Sequence, residues 1–135
     1  MAHVRGIGGI FFKSDNAPAL YAWYEKHLGI AGRPNEGAMF PWRRADDASR
    51  EELTVWSIFP ASTKYLGSSK AGFMINYIVD DLDALLAELR AQGVAVDERV
   101  ERHEYGNFGW ITDPDGNRIE LWEPKQEAAS PDAEL

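Results

Sequence analysis

The run Asp113-Pro114-Asp115-Gly116-Asn117-Arg118-Ile119-Glu120-Leu121-Trp122-Glu123-Pro124 decides the fold of this chain. Pro114 presets φ for the first corner of a tight turn, Asp115 and Asn117 tolerate left-handed geometry, and Gly116 supplies positive φ without a Cβ clash. Beyond the turn the sequence alternates. Arg118, Glu120 and Trp122 fall on one face of a strand and Ile119 and Leu121 on the other, so one face is core and the other holds a carboxylate beside an indole. Such an acid needs a physical reason to be there.

Upstream of this cassette the chain states one pattern twice. Residues 7–12 read as a strand, Asn16 as an N-cap with Pro18 in the first helical turn, and Leu20, Trp23, Tyr24 and Leu28 as an apolar helical stripe ended by Gly29. Strands are expected at 38–43 and 53–59, separated by the charged loop 45–52. The pattern restarts at 73–79 with a strand, continues with Asp81 as N-cap, and carries Leu82, Leu85, Leu86 and Leu89 as a second stripe closed by Gly93. Strands at 94–100, 108–112 and 118–122 follow.

The expected fold is α+β: two βαβββ modules forming a cupped mixed sheet around a cavity, since one such unit alone leaves a sheet face and both edges uncovered. Module one covers 5–60, a linker 61–72 and module two 73–124, all within a single domain, 1–125. The polar, proline-broken segment 126–135 reads as a flexible tail. A ferredoxin-like βαβ repeat is the alternative, and the strands trailing each helix speak against it.

Composition narrows the function. With 135 residues, 44% hydrophobic and 12% aromatic, the chain can bury one real core. A net charge of -8 without a basic stripe argues against nucleic-acid binding. The absence of cysteine removes disulfides and thiolate chemistry and suits a reducing cytoplasm, so any metal would be held by N and O ligands. The short, glycine-broken apolar run near the start reads neither as a signal peptide nor as a membrane span.

Together these motifs resemble the vicinal oxygen chelate superfamily, which includes glyoxalase I, bleomycin-resistance proteins and extradiol dioxygenases. The resemblance is carried by Tyr105-Gly106 through Pro124, by Trp23-Tyr24 with Leu28-Gly29, and by Val79-Asp80-Asp81-Leu82. It spans nearly the whole chain and implies the fold and a homodimer, without choosing a reaction. In the metal-dependent members, His, Glu or Gln from the first and last strands of each module hold a divalent ion. The matching positions here are Gly9, Met74, Trp56 or Ser57, and Glu120. Glycine, thioether and indole are not donors for such an ion, which leaves Glu120 alone among the expected ligands.

Glu120 therefore has two readings: a buried acid that anchors a ligand or moves a proton, or a structural partner of Arg118, Arg5 or a backbone amide. Trp56 and Trp110 are expected to line a pocket with it, joined by Met74, Trp42 and His103. His103 and Glu104, adjacent on a strand, point to opposite faces and cannot share one ion, so His103 is placed at the rim. His27 suits the C-terminal end of the first helix, His3 a frayed terminus, and Trp23 and Tyr24 the seam between helix and sheet. Neither the Gly6-Ile7-Gly8-Gly9 run nor the Asp113 to Asn117 segment makes a dinucleotide or calcium loop.

Two functions follow as expectations. The first is a small-molecule-binding protein of the glyoxalase/bleomycin-resistance type, without the usual metal site or any cofactor, holding a small aromatic or cationic ligand with Glu120 as anchor. The alternative is a glyoxalase-like lyase or isomerase, or a dioxygenase, acting on a small carbonyl or phenolic substrate. Glu120 is then the tentative catalytic group, as acid/base or as ligand to a divalent metal.

Overall fold

The computed structural model describes residues 3–67 and 71–125; the segment read as a tail, 126–135, lies outside them. Among the described residues the chain runs β1 (Val4–Ser14), α1 (Ala17–Leu28), β2 (Ala38–Arg43), β3 (Glu51–Pro60), β4 (Phe73–Val79), α2 (Leu82–Ala91), β5 (Ala95–His103), β6 (Gly106–Thr112) and β7 (Arg118–Pro124). This is the expected α+β class, with βαββ in the first half and βαβββ in the second. Contacts cluster into two compact units, Ile7–Ile75 and Met1–Gly6 with Asn76–Leu135. No helix of the described residues is long and apolar enough to cross a membrane.

In the Ile7–Ile75 unit the strand order is β2-β3-β1. β1 pairs with β3 in parallel, Gly9 opposite Val55 through Ser14 opposite Pro60, and β2 pairs antiparallel with β3, Ala38 opposite Trp56. Asn16 caps α1 by accepting from the Ala19 N–H at 3.1 Å, and Gly29 ends the helix at φ 74°. The face of α1 that packs inward matches the expected stripe only in part, at Leu20 and Tyr24. Ala17 and Tyr21 are its buried residues, whereas Trp23 and Leu28 are 50% and 62% exposed. The tyrosine hydroxyl explains the choice: Tyr21 Oη accepts from Ile58 N–H at 2.8 Å, which fixes the helix rotation around that bond. Tyr24 does fasten helix to sheet, edge-on to Trp56 with centroids 5.0 Å apart.

In the other unit the order is β4-β7-β6-β5, with β6 antiparallel to both β7 and β5 and a bulge in β5 between Val96 and Val100. The α2 stripe is as expected. Leu82, Leu85 and Leu86 bury against Val79 and Leu121, with Tyr77, Leu89, Val96, Val100, Ile111 and Ile119 around them. Asp81 caps α2 from the Ala84 N–H, and the Glu123 carboxylate accepts the Leu82 N–H at 2.9 Å, so two first-turn donors are satisfied. Gly109 permits the close seat, since a Cβ there would lie 3.0 Å from Leu86 Cδ1.

The turn that launches β7 is held by Asp113, whose carboxylate accepts from the Asp115 and Asn117 N–H groups and from Asn117 Nδ2, each at 2.9 Å. Gly116, at φ 87°, closes it with a 3.0 Å bond to the Asp113 carbonyl. The Asn117 side chain and backbone bonds, aided by those of Asp115 and Gly116, hold the Asp113 carboxyl below its ordinary value. A depressed carboxyl contributes stability that is full above the unfolded value of about 3.9 and is lost as pH falls through the lower folded value. Asp113→Ala should therefore lower Tm at neutral pH, with the gap to wild type closing in acid. A gap that stays constant down to pH about 2 would show that the carboxylate's charge plays no part.

Candidate functional site

The cluster around Glu120 is built by three strands of one unit. Strand alternation sends Ile119 and Leu121 toward α2 and Glu120 to the opposite sheet face, where the register sets it across from Trp110 on β6. Trp110 Nε1 donates to Glu120 Oε2 at 3.1 Å, and Asn76 Nδ2 on β4 donates to Oε1 at 2.6 Å. Glu120 is 1% exposed, Asn76 2% and Trp110 2%. Both oxygens of a buried carboxylate thus accept from side chains, which offsets the cost of removing it from water.

Cations surround the indole. The Arg118 guanidinium carbon lies 5.4 Å from the centre of the Trp110 ring and that of Arg99 5.9 Å. Arg118 also reaches Asp97 at 3.4 Å, and the Asp97 carboxyl is held below its ordinary value, first by the Arg99 backbone N–H and then by Arg118. Two buried atoms in this unit have no hydrogen-bond partner among the described residues: Asn76 Oδ1 and Arg118 Nε.

Of the residues read from the sequence as ligand-binding, Glu120 and Trp110 come together within one unit. Trp56 is corrected. Its ring packs beneath α1, edge-on to Phe12, Tyr21 and Tyr24 at 5.6, 5.8 and 5.0 Å, because position 56 shares with Ile58 the strand face that meets the helix. It is a core residue of the Ile7–Ile75 unit. Met74 is fully buried on β4, and Trp42 donates from Nε1 to Thr54 Oγ1 at 2.8 Å on the β2–β3 pair. His103 ends β5 at the surface, stacked on Tyr105 with centroids 5.0 Å apart and 3.0 Å from Glu101, while Glu104 belongs to the following turn rather than the strand.

Asn76 was not singled out by sequence. Its signal is the one that drew attention to Glu120, a lone polar side chain at the centre of an apolar strand, Phe-Met-Ile-Asn-Tyr-Ile-Val. To the partners read for Glu120, which are Arg118, Arg5 or a backbone amide, the structure adds an amide side chain and an indole.

Among solved structures the chain is similar to methylmalonyl-CoA epimerase from Mycobacterium tuberculosis, at 24% identity and TM-score 0.57, over 94% of this chain and 93% of that one. It is also similar to a single-residue variant of Streptomyces coelicolor methylmalonyl-CoA epimerase in complex with 2-nitronate-propionyl-CoA, at 18% identity and TM-score 0.65, over 90% and 99%. The Mn(II)-bound glyoxalase from Novosphingobium aromaticivorans matches at 20% identity and TM-score 0.60, over 91% of this chain and 40% of that one. At such identities the likeness is one of fold. No curated protein sequence matches the chain. The family model described as Glyoxalase/Bleomycin resistance protein/Dioxygenase superfamily matches residues 6–121, and the chain belongs to that superfamily.

Proposed function

We propose that this chain is a small-molecule-binding protein that works without a divalent metal, with the Glu120, Asn76 and Trp110 cluster as its polar anchor. The observation that carries this reading is the occupied carboxylate. Asn76 and Trp110 aim N–H donors at both oxygens of Glu120, and a cation would have to displace them. The remaining positions at which the superfamily's metal ligands are expected hold Gly9, Met74 and Trp56 or Ser57, and among the described residues no three His, Asp or Glu side chains converge. This donor set does not fit a divalent ion.

The ligand's chemistry follows from the unmatched atoms. Asn76 Oδ1 asks for a donor and Arg118 Nε for an acceptor, and the two guanidinium groups over Trp110 favour a neutral or anionic molecule over the cation suggested by the indoles alone. Pairing of two chains, implied by family membership, belongs to the same reading and is checked by sedimentation equilibrium.

Metal analysis of protein purified without chelators tests the first half. Nickel, zinc, manganese and iron should all be far below stoichiometric, in wild type and in Glu120→Gln alike. A stoichiometric metal that disappears in Glu120→Gln would return the chain to the competing reading, a glyoxalase-like lyase or isomerase, or a dioxygenase, using Glu120 as a ligand or acid/base. A screen of small phenols and carboxylic acids, followed through the Trp110 indole N–H resonance, tests the second half. If no member moves that resonance, the anchor role fails.

A further inference from the structure

The outward edge of the apolar stripe of α1 forms the wall of an open groove of about 580 Å³, lined by Ser14, Asp15, Asn16, Ala19, Leu20, Trp23 and Tyr24. Counting from the cap, positions 16, 19, 20, 23 and 24 are the i, i+3, i+4, i+7 and i+8 sites of one helix face. Folding uses this face only in part: Leu20 and Tyr24 pack partly buried against the Tyr21 and Trp56 core, while Trp23 stays half exposed outside it. Trp23 is half exposed, and its ring is braced edge-on by Tyr24 at 5.2 Å and by a tilted His27 ring at 4.8 Å, so an indole is held in place with surface left open to solvent.

We infer that this groove is a binding site for a small aromatic cation, stacked on Trp23 with its charge toward Asp15. Three observations commit the site to that chemistry. Indole is the side chain whose face best attracts a cation. Among the described residues Asp15 is the one charged side chain of the groove's lining, no Lys or Arg lines it, and the chain as a whole carries a net charge of -8. By contrast, the ring of Trp110 already faces two guanidinium groups, so the two indoles select opposite ligand charges. The groove lies wholly within the Ile7–Ile75 unit and shares no residue with the Glu120 cluster.

The probe is 1-methylquinolinium, titrated into the full chain and followed by proton NMR of the probe and by backbone amide spectra of the protein. Stacking should move the probe's ring protons upfield and saturably, and the Ala19, Leu20 and Trp23 amides should shift with the same isotherm. Trp23→Ala should abolish both effects, and Asp15→Asn should weaken binding by about two- to fivefold, the range of an exposed cation interaction. Both sites are at the surface, so both variants should keep wild-type amide dispersion. Neutral quinoline should bind more weakly than the methylated cation. The inference is overturned if Trp23→Ala binds as wild type does, if quinoline binds equally well, or if the Asn76 and Trp110 resonances move while those of α1 stay still. It is also overturned if Trp23→Ala dissociates a dimer, because a second copy would then be the occupant.

Discussion

Trp110→Ala should cost about 4 kcal/mol or more, a large share of the roughly 5 to 15 kcal/mol that holds a domain of this size folded. Removing a buried indole loses its transfer free energy and leaves a cavity that the surrounding strands fill only in part, together worth about 3 to 5 kcal/mol. A second loss comes from the hydrogen bond. Glu120 Oε2 sits 3.1 Å from Trp110 Nε1 in a site closed to water, and an acceptor deprived of its donor there costs about 1 to 3 kcal/mol. With a urea slope of about 1 to 3 kcal/mol per molar, the unfolding midpoint should fall by about 2 M. Trp110→Phe separates the contributions, since it keeps an aromatic ring in the site while losing the N–H and part of the indole volume. The phenylalanine variant should lie between wild type and alanine. If alanine shifts the midpoint by less than phenylalanine does, the packing account is wrong.

The elements of this fold were legible because each announces itself locally. Asn16 and Asp81 sit as caps at the starts of α1 and α2, Gly29 and Gly93 take positive φ at their ends, and β2 and β4 span the residues read for them. The rotation of α1 was not legible. Leu20, Trp23, Tyr24 and Leu28 recur at helical spacing as convincingly as Ala17 and Tyr21 do, and periodicity cannot decide between two stripes offset by one position. The decision was made by a hydrogen bond from Ile58 to the Tyr21 hydroxyl, a pairing 37 residues apart in sequence.

The candidate site shows the same division. Alternation along β7 put Glu120 opposite Leu121 in direction, and the position of Trp110 across from it follows from a short hairpin register. The sequence leaves Trp56 open, because indole is equally at home in a pocket wall and in a core; its packing beneath α1 is visible only in the structure. Asn76 escaped notice because a single amide in an apolar strand carries no motif. Its partner lies 44 residues away, and the link exists only once β4 and β7 are neighbours.

Glu120→Gln and Glu120→Leu should diverge by about 2 to 4 kcal/mol in stability, and the reason lies in Asn76. Leucine removes both acceptors, leaving the Asn76 amide and the Trp110 N–H buried without partners, each at a cost of about 1 to 3 kcal/mol. Glutamine keeps one oxygen, which can stay with Trp110, and presents an NH2 group to Asn76. That contact is donor against donor only while the Asn76 amide keeps its orientation. Turning the amide by half a rotation offers Oδ1, which in wild type has no partner among the described residues, and the pair is restored with its polarity reversed. Glu120→Gln is thus expected within about 1 kcal/mol of wild type, while Glu120→Leu loses about 3 kcal/mol or more. Adding Asn76→Leu should cost Glu120→Gln more than it costs Glu120→Leu, because only the glutamine variant still uses the amide. Equal costs for the two single variants in urea titrations would mean that Asn76 cannot turn and that the negative charge itself, rather than its hydrogen bonds, holds these strands together.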